Sequence, residues 1–136
     1  FGAVAALSGT LHAEDVAGRG GAGAPFFRSR AFAGAVFGDA GAVAGSDRDP
    51  ARLAADLAAE GGPMPRIYLG CGTRDPLLAS NRAAAAELRG LGYDVTYEEA
   101  EGGHEWGYWN RAIERVVDWL PLGEAVAGIG SGNVRV

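Results

Sequence analysis

Apolar positions recur at helical spacing in three stretches of the chain, and they alternate or run together in three others. Residues 50–60 (PARLAADLAAE) predict a helix. Asp49 can cap it, Pro50 suits its first position, Leu53 and Leu57 share a face, and Gly61-Gly62-Pro63 end it. Residues 79–91 predict a second helix, with Ala84, Leu88 and Leu91 on one side and Gly92 as the stop. The strongest pattern is 107–120, where Trp109, Ile113, Val116 and Leu120 fall at spacings of four, three and four before Pro121. Residues 3–8 (AVAALS) run apolar to Gly9, and 66–71 (RIYLGC) and 93–98 (YDVTYE) are rich in aliphatic, aromatic and β-branched side chains. These three segments predict strands.

Residues 17–25 (AGRGGAGAP) are a Gly-rich loop. Residues 26–46 carry Phe26, Phe27, Phe32 and Phe37 among Gly and Ala, as irregular or short helical cover. Residues 123–136 are small and Gly-broken and predict a weakly ordered tail. The order is strand, long cover, helix, strand, helix, strand, helix. Strands alternating with helices imply βαβ units, so the expected fold is α/β, with three parallel strands and flanking helices. Right-handed crossovers then place every strand-to-helix loop at the same edge of the sheet. A sheet this small has a bare side unless another segment covers it.

Composition narrows the function. The chain has 136 residues, enough for one domain, and 50 of them are Ala or Gly, so the core must be thin and filled largely by Ala. Its 12 basic residues are all Arg, against 17 acidic ones, for a net charge of −5. With no basic cluster, nucleic acid is not an expected partner. No apolar stretch is long enough to span a bilayer, so no membrane role is expected. A single cysteine, Cys71, excludes an internal disulfide and a cysteine-rich zinc site. The chain opens at Phe1, and no signal peptide is visible.

No cofactor is expected either. Gly18-Arg19-Gly20-Gly21-Ala22-Gly23 matches the dinucleotide fingerprint in form, but it lacks the strand before it and the helix after it. His104-Glu105 opens like a zincin motif, yet the second histidine position is Tyr108. His12, Glu14 and Asp15 could gather around an ion. With no second histidine nearby, a solvated loop is the stronger reading.

Two residues carry candidate chemistry. Asp75 lies four positions past the strand ending at Cys71, and His104 six past the strand ending at Glu98. Functional groups of open parallel sheets gather beyond the carboxyl ends of strands. Neighbouring strands are about 4.8 Å apart, so the two loops would stand side by side. A carboxylate there could accept the imidazole Nδ1 proton and leave Nε2 to act as a base. The plainer alternatives are a turn or cap role for Asp75 and a simple loop role for His104. Cys71, inside a strand, reads as a buried thiol. Trp106, Tyr108 and Trp109 flank His104 and could line an acyl pocket, although packing on the sheet is the default for Trp109. Ser8, at a strand end, faces the same edge, as a turn residue or a substrate contact.

The stretch 67–122 resembles the carboxyl-terminal part of the esterase family that includes tributyrin esterases and esterase D, the S-formylglutathione hydrolases. The matching features are CGTRD, Asn81-Arg82, DVTYEE, GGHEW and DWLPL. The opening FGAVAALSG resembles the strand that follows the nucleophile helix; FGD at 37–39 and the SDRD segment match more weakly. Residues 13–36 fit poorly, and the tail past 122 does not fit. The resemblance implies that 1–122 is the carboxyl-terminal part of an α/β-hydrolase domain. It also implies that Asp75 is the triad acid and His104 the triad base; Trp106, which flanks His104, is the expected substrate contact.

In such folds the order along the chain is Ser, acid, His. None of Ser8, Ser29, Ser46, Ser80 and Ser131 sits in a Gly-x-Ser-x-Gly elbow. The resemblance places that elbow about 15–20 residues before Phe1. The expected function is therefore that of a serine carboxylesterase fragment acting on small short-chain acyl esters and inactive alone. The alternative is a non-catalytic module that pairs through its bare sheet edge. Its partner would be a second copy or a missing amino-terminal segment. Localisation is left open, with the cytoplasm expected.

Overall fold

The computed structural model describes residues 2–12, 15 and 30–122. The Gly-rich loop and the tail from 123 onward lie outside them. Three parallel strands form one sheet in the order β1 (Ala3–Leu7), β2 (Arg66–Gly72), β3 (Val95–Ala100). Helix α1 (Arg30–Phe37) and a short 3₁₀ turn (Ala40–Ala42) give the segment after β1 the helical cover expected of it. Helix α2 (Pro50–Glu60) has the predicted bounds. Asp49 caps it by accepting from the Ala51 and Arg52 amides, and Gly61 ends it in the left-handed conformation at φ 68°. Helices α3 (Leu78–Gly90) and α4 (Trp106–Trp119) follow β2 and β3, each one residue earlier than the sequence pattern predicts.

Strand alternation sorts the two faces. Ile67 and Leu69 of β2 meet Ala85 of α3 and Tyr93, with Ala54, Leu57 and Ala58 of α2 packed around them. On the other face α4 covers β1 and β2, and Tyr68 of β2 packs its ring 5.6 Å from Trp119. The result is a sheet between two helical layers, with its core on β2.

Three expectations about packing are corrected. The buried line on α4 is Tyr108, Ala112 and Val116, while Ile113 is about half exposed. Both lines satisfy a 3.6-residue period, and the pattern favoured the larger side chains over Ala112. On α3 the buried residues are Asn81, Ala84 and Ala85, with Leu91 left partly exposed. Strand β3 begins two residues later than predicted, because the Tyr93 amide donates to the Leu88 carbonyl at the end of α3 at 3.1 Å; its side chain lies in the core, where the hydroxyl donates to the Ala54 carbonyl at 2.9 Å. The ladder then runs on to Ala100, opposite Gly72.

Candidate active site

Asp75 lies three residues past the end of β2, and His104 four past the end of β3. The loops that carry them are locked together through the backbone. The Thr73 amide donates to the Ala100 carbonyl at 2.9 Å, and the Arg74 amide to the Gly102 carbonyl at 2.8 Å. Glycine makes this approach possible. A Cβ on Gly72 would stand 2.5 Å from the Gly102 carbonyl oxygen, and one on Gly102, at φ 148°, 2.7 Å from the Tyr108 Cβ.

Asp75 combines the turn role and the partner role that the sequence left open. Its Oδ1 accepts the Leu77 amide at 2.8 Å, at the start of α3. Its Oδ2 lies 3.1 Å from His104 Nδ1. The carboxylate side chain is fully buried, and 22% of the imidazole is exposed. A carboxylate is an acceptor only, so the neutral imidazole carries its proton on Nδ1 and presents Nε2 as a base.

Around this pair the side chains close in from every strand end. The indole of Trp109 stands edge-to-face to His104, with centroids 4.9 Å apart and planes at 87°. Trp109 therefore belongs to the site, and Tyr108 takes the buried place that the sequence reading gave to Trp109. The Tyr108 hydroxyl is buried with no hydrogen-bond partner among the described residues, and burial pushes its pKa up to about 12. Trp109 Nε1 donates to Ser8 Oγ at 3.2 Å. Trp106 stacks edge-on against Trp109 at 5.3 Å, but it is 76% exposed, so it lines no enclosed pocket among the described residues. Cys71 is fully buried; burial first, then the charge of Asp75, pushes its thiol up to about 11, and the Ser8 hydroxyl beside it partly offsets this. It is an inert thiol at neutral pH.

The other candidates part company. His12 binds Ser80 Oγ through Nδ1 at 3.0 Å and Glu87 through Nε2 at 2.9 Å, and Ser80 also donates to Asp15. These contacts fasten the segment after β1 to α3. Among the described residues no group of His, Cys, Asp and Glu could hold a metal ion, and Glu14 lies outside them. The Gly18–Gly23 motif also lies outside them. No described helix is long and apolar enough to cross a membrane. Sequence reasoning missed the glycine lock and the Ser8–Trp109 contact. The clustering of Gly70, Gly72, Gly102 and Gly103 at the two strand ends was the available signal for the first.

Three parallel strands, helices on both faces and chemistry at the strand ends are part of an α/β-hydrolase fold. The structure is similar to that of the S-formylglutathione hydrolase FrmB from Staphylococcus aureus, with a TM-score of 0.70 and 25% identity, covering 88% of this chain and 44% of that one. It is equally similar to FphF, a fluorophosphonate-binding serine hydrolase of Staphylococcus aureus solved with substrate bound, at 26% identity, a TM-score of 0.70 and the same coverage. In sequence it is 44% identical over 85 residues to an acetyl esterase of Caldicellulosiruptor saccharolyticus, which covers 62% of this chain. The chain spans 32% of that esterase's length. No family model matches it.

Proposed function

We propose that this chain supplies the acid and base of a serine esterase whose nucleophile comes from a segment outside residues 1–136. The observation that carries the reading is the buried Asp75 carboxylate 3.1 Å from His104 Nδ1, at the carboxyl edge of a parallel sheet. The esterase and serine-hydrolase names of its relatives support it. In the assembled enzyme the serine attacks an ester carbonyl, and His104 Nε2 takes its proton. His104 then returns the proton to the departing alcohol, and water, deprotonated by the same nitrogen, releases the acid. Asp75 keeps the proton on Nδ1 and stabilises the imidazolium that forms. The substrates are acetyl and other short acyl esters of small alcohols, and no cofactor takes part. Trp106, beside the base, is a substrate contact once the rest of the protein covers it.

Purified chain 1–136 is expected to show no hydrolysis of p-nitrophenyl acetate above background. Joined to an amino-terminal segment carrying a Gly-x-Ser-x-Gly elbow, it gains activity. There Asp75→Asn lowers turnover by about four orders of magnitude, and His104→Ala abolishes it. Robust hydrolysis by the chain alone would overturn the missing nucleophile. Unchanged turnover in Asp75→Asn would remove that carboxylate from the reaction.

A further inference from the structure

We infer that Ser8 and Trp109 form a positioning brace that fixes the rotation of the His104 ring, so that the acid–base pair is set before any nucleophile arrives. The inference rests on the proposed esterase reading for its purpose, but not for its test. Three observations carry it. Ser8 is the one non-glycine residue at positive φ among the described residues, at 53°. It is 5% exposed, and its amide donates to the Gly70 carbonyl at 2.7 Å, which ties the end of β1 to β2. A buried non-glycine residue in that conformation is strained and persists where its surroundings over-determine it. Here its hydroxyl accepts the Trp109 indole N–H at 3.2 Å.

That bond holds the indole of α4 upright against His104, at 4.9 Å and 87°. Asp75 anchors the ring at Nδ1. The indole at right angles to it restricts the rotation of the imidazole about its own bonds. The brace therefore draws on the ends of all three strands and the first turn of α4. Ser8 and Trp109 act through His104, so both are positioning residues and neither is catalytic.

The test reads the imidazole directly, by long-range ¹⁵N–¹H correlation on chain 1–136, with His104→Gln assigning the signals against His12. The native chain is expected to show His104 chiefly in the Nδ1–H form, with ring protons shifted by the indole current. Trp109→Phe keeps a ring but loses the donor, and Ser8→Gly removes the hydroxyl while relieving the positive φ. Both are expected to lower the Nδ1–H share at least two-fold and to move the ring-proton shifts. Thermal unfolding is followed alongside. Ser8→Gly is expected to unfold no earlier than the native chain, so a merely structural role for Ser8 would leave the His104 spectrum unmoved. Unchanged tautomer share and shifts in a folded Ser8→Gly chain overturn the brace. The esterase reading fails or stands separately on the hydrolysis measurements, which involve the nucleophile; the tautomer needs none.

Discussion

At the scale of single residues, the site depends on the side chains absent at Gly72 and Gly102 as much as on the Asp75–His104 pair. Gly72 and Gly70 both occupy β2 and differ only in what a methyl group would meet. At Gly72 it meets the Gly102 carbonyl oxygen at 2.5 Å and carbon at 2.8 Å, which are backbone atoms held by the Arg74 amide. At Gly70 it meets Leu7 Cδ2 at 2.8 Å and the Tyr108 hydroxyl at 3.0 Å, the far ends of side chains that can shift. Gly72→Ala is therefore expected to cost about 3 kcal/mol and Gly70→Ala about 1 kcal/mol. Urea unfolding of both variants checks this. Equal costs would show that the loop behind His104 yields freely. Because the same loop carries Asp75, Gly72→Ala should also weaken the contact at 3.1 Å.

At the scale of elements, what the sequence revealed depended on whether its signals were local. Helix α2 was legible to its ends, because Asp49, Pro50 and Gly61 act within one turn of the chain. The loops bearing Asp75 and His104 were legible because parallel topology puts all such loops at one edge. The buried face of α4 was not, since Ala112 carries little hydrophobic weight until a sheet lies against it. Nor was the end of β3, which runs through Glu98 and Glu99 to Ala100 where the pattern predicts a stop at Glu98. Their partners come from elsewhere: Arg115 and the Tyr68 hydroxyl on Glu98, Arg82 and the Tyr97 hydroxyl on Glu99. Arg82 binds Glu99 with two bonds, 2.6 and 2.8 Å, and this pairing, then the Tyr97 bond, holds the carboxyl down at about 2 against an ordinary 4.5. A depressed carboxyl stabilises the fold above its unfolded value. That stability is lost as pH falls from about 4.5 toward about 2. Denaturant midpoints of the native chain should therefore drop through this window. Glu99→Gln should flatten the slope while lowering the plateau near neutrality. An identical slope in the variant would assign the acid sensitivity to other carboxylates.

At the scale of the whole molecule, the two outer strands differ in kind. Along β3 the Asp94 carbonyl accepts the Ile67 amide across the ladder, which turns the Val95 carbonyl outward, and Arg89 donates to it at 3.1 Å. Arg111 likewise covers the Glu101 carbonyl just past the strand at 2.9 Å, and Glu98 and Glu99 place charge on the strand itself. These are the devices by which a natural edge avoids pairing. Strand β1, AVAAL, carries no charge, and Val4 is 47% exposed. An apolar run on both faces is the composition of an interior strand in a parallel sheet. On the α4 side, Ile113 and Val117 are each 49% exposed. Among the described residues the exposed apolar surface thus includes one sheet edge and one side of a neighbouring helix. Through this surface chain 1–136 is expected to associate with itself, with a mass by light scattering that rises with concentration. Val4→Lys, which places a charge on the open strand, should shift that rise to at least ten-fold higher concentration. An amino-terminal segment that restores esterase activity should abolish the rise, because both would compete for the same strand. A mass independent of concentration in the native chain would show that β1 is already covered, and the pairing proposal would fall with it.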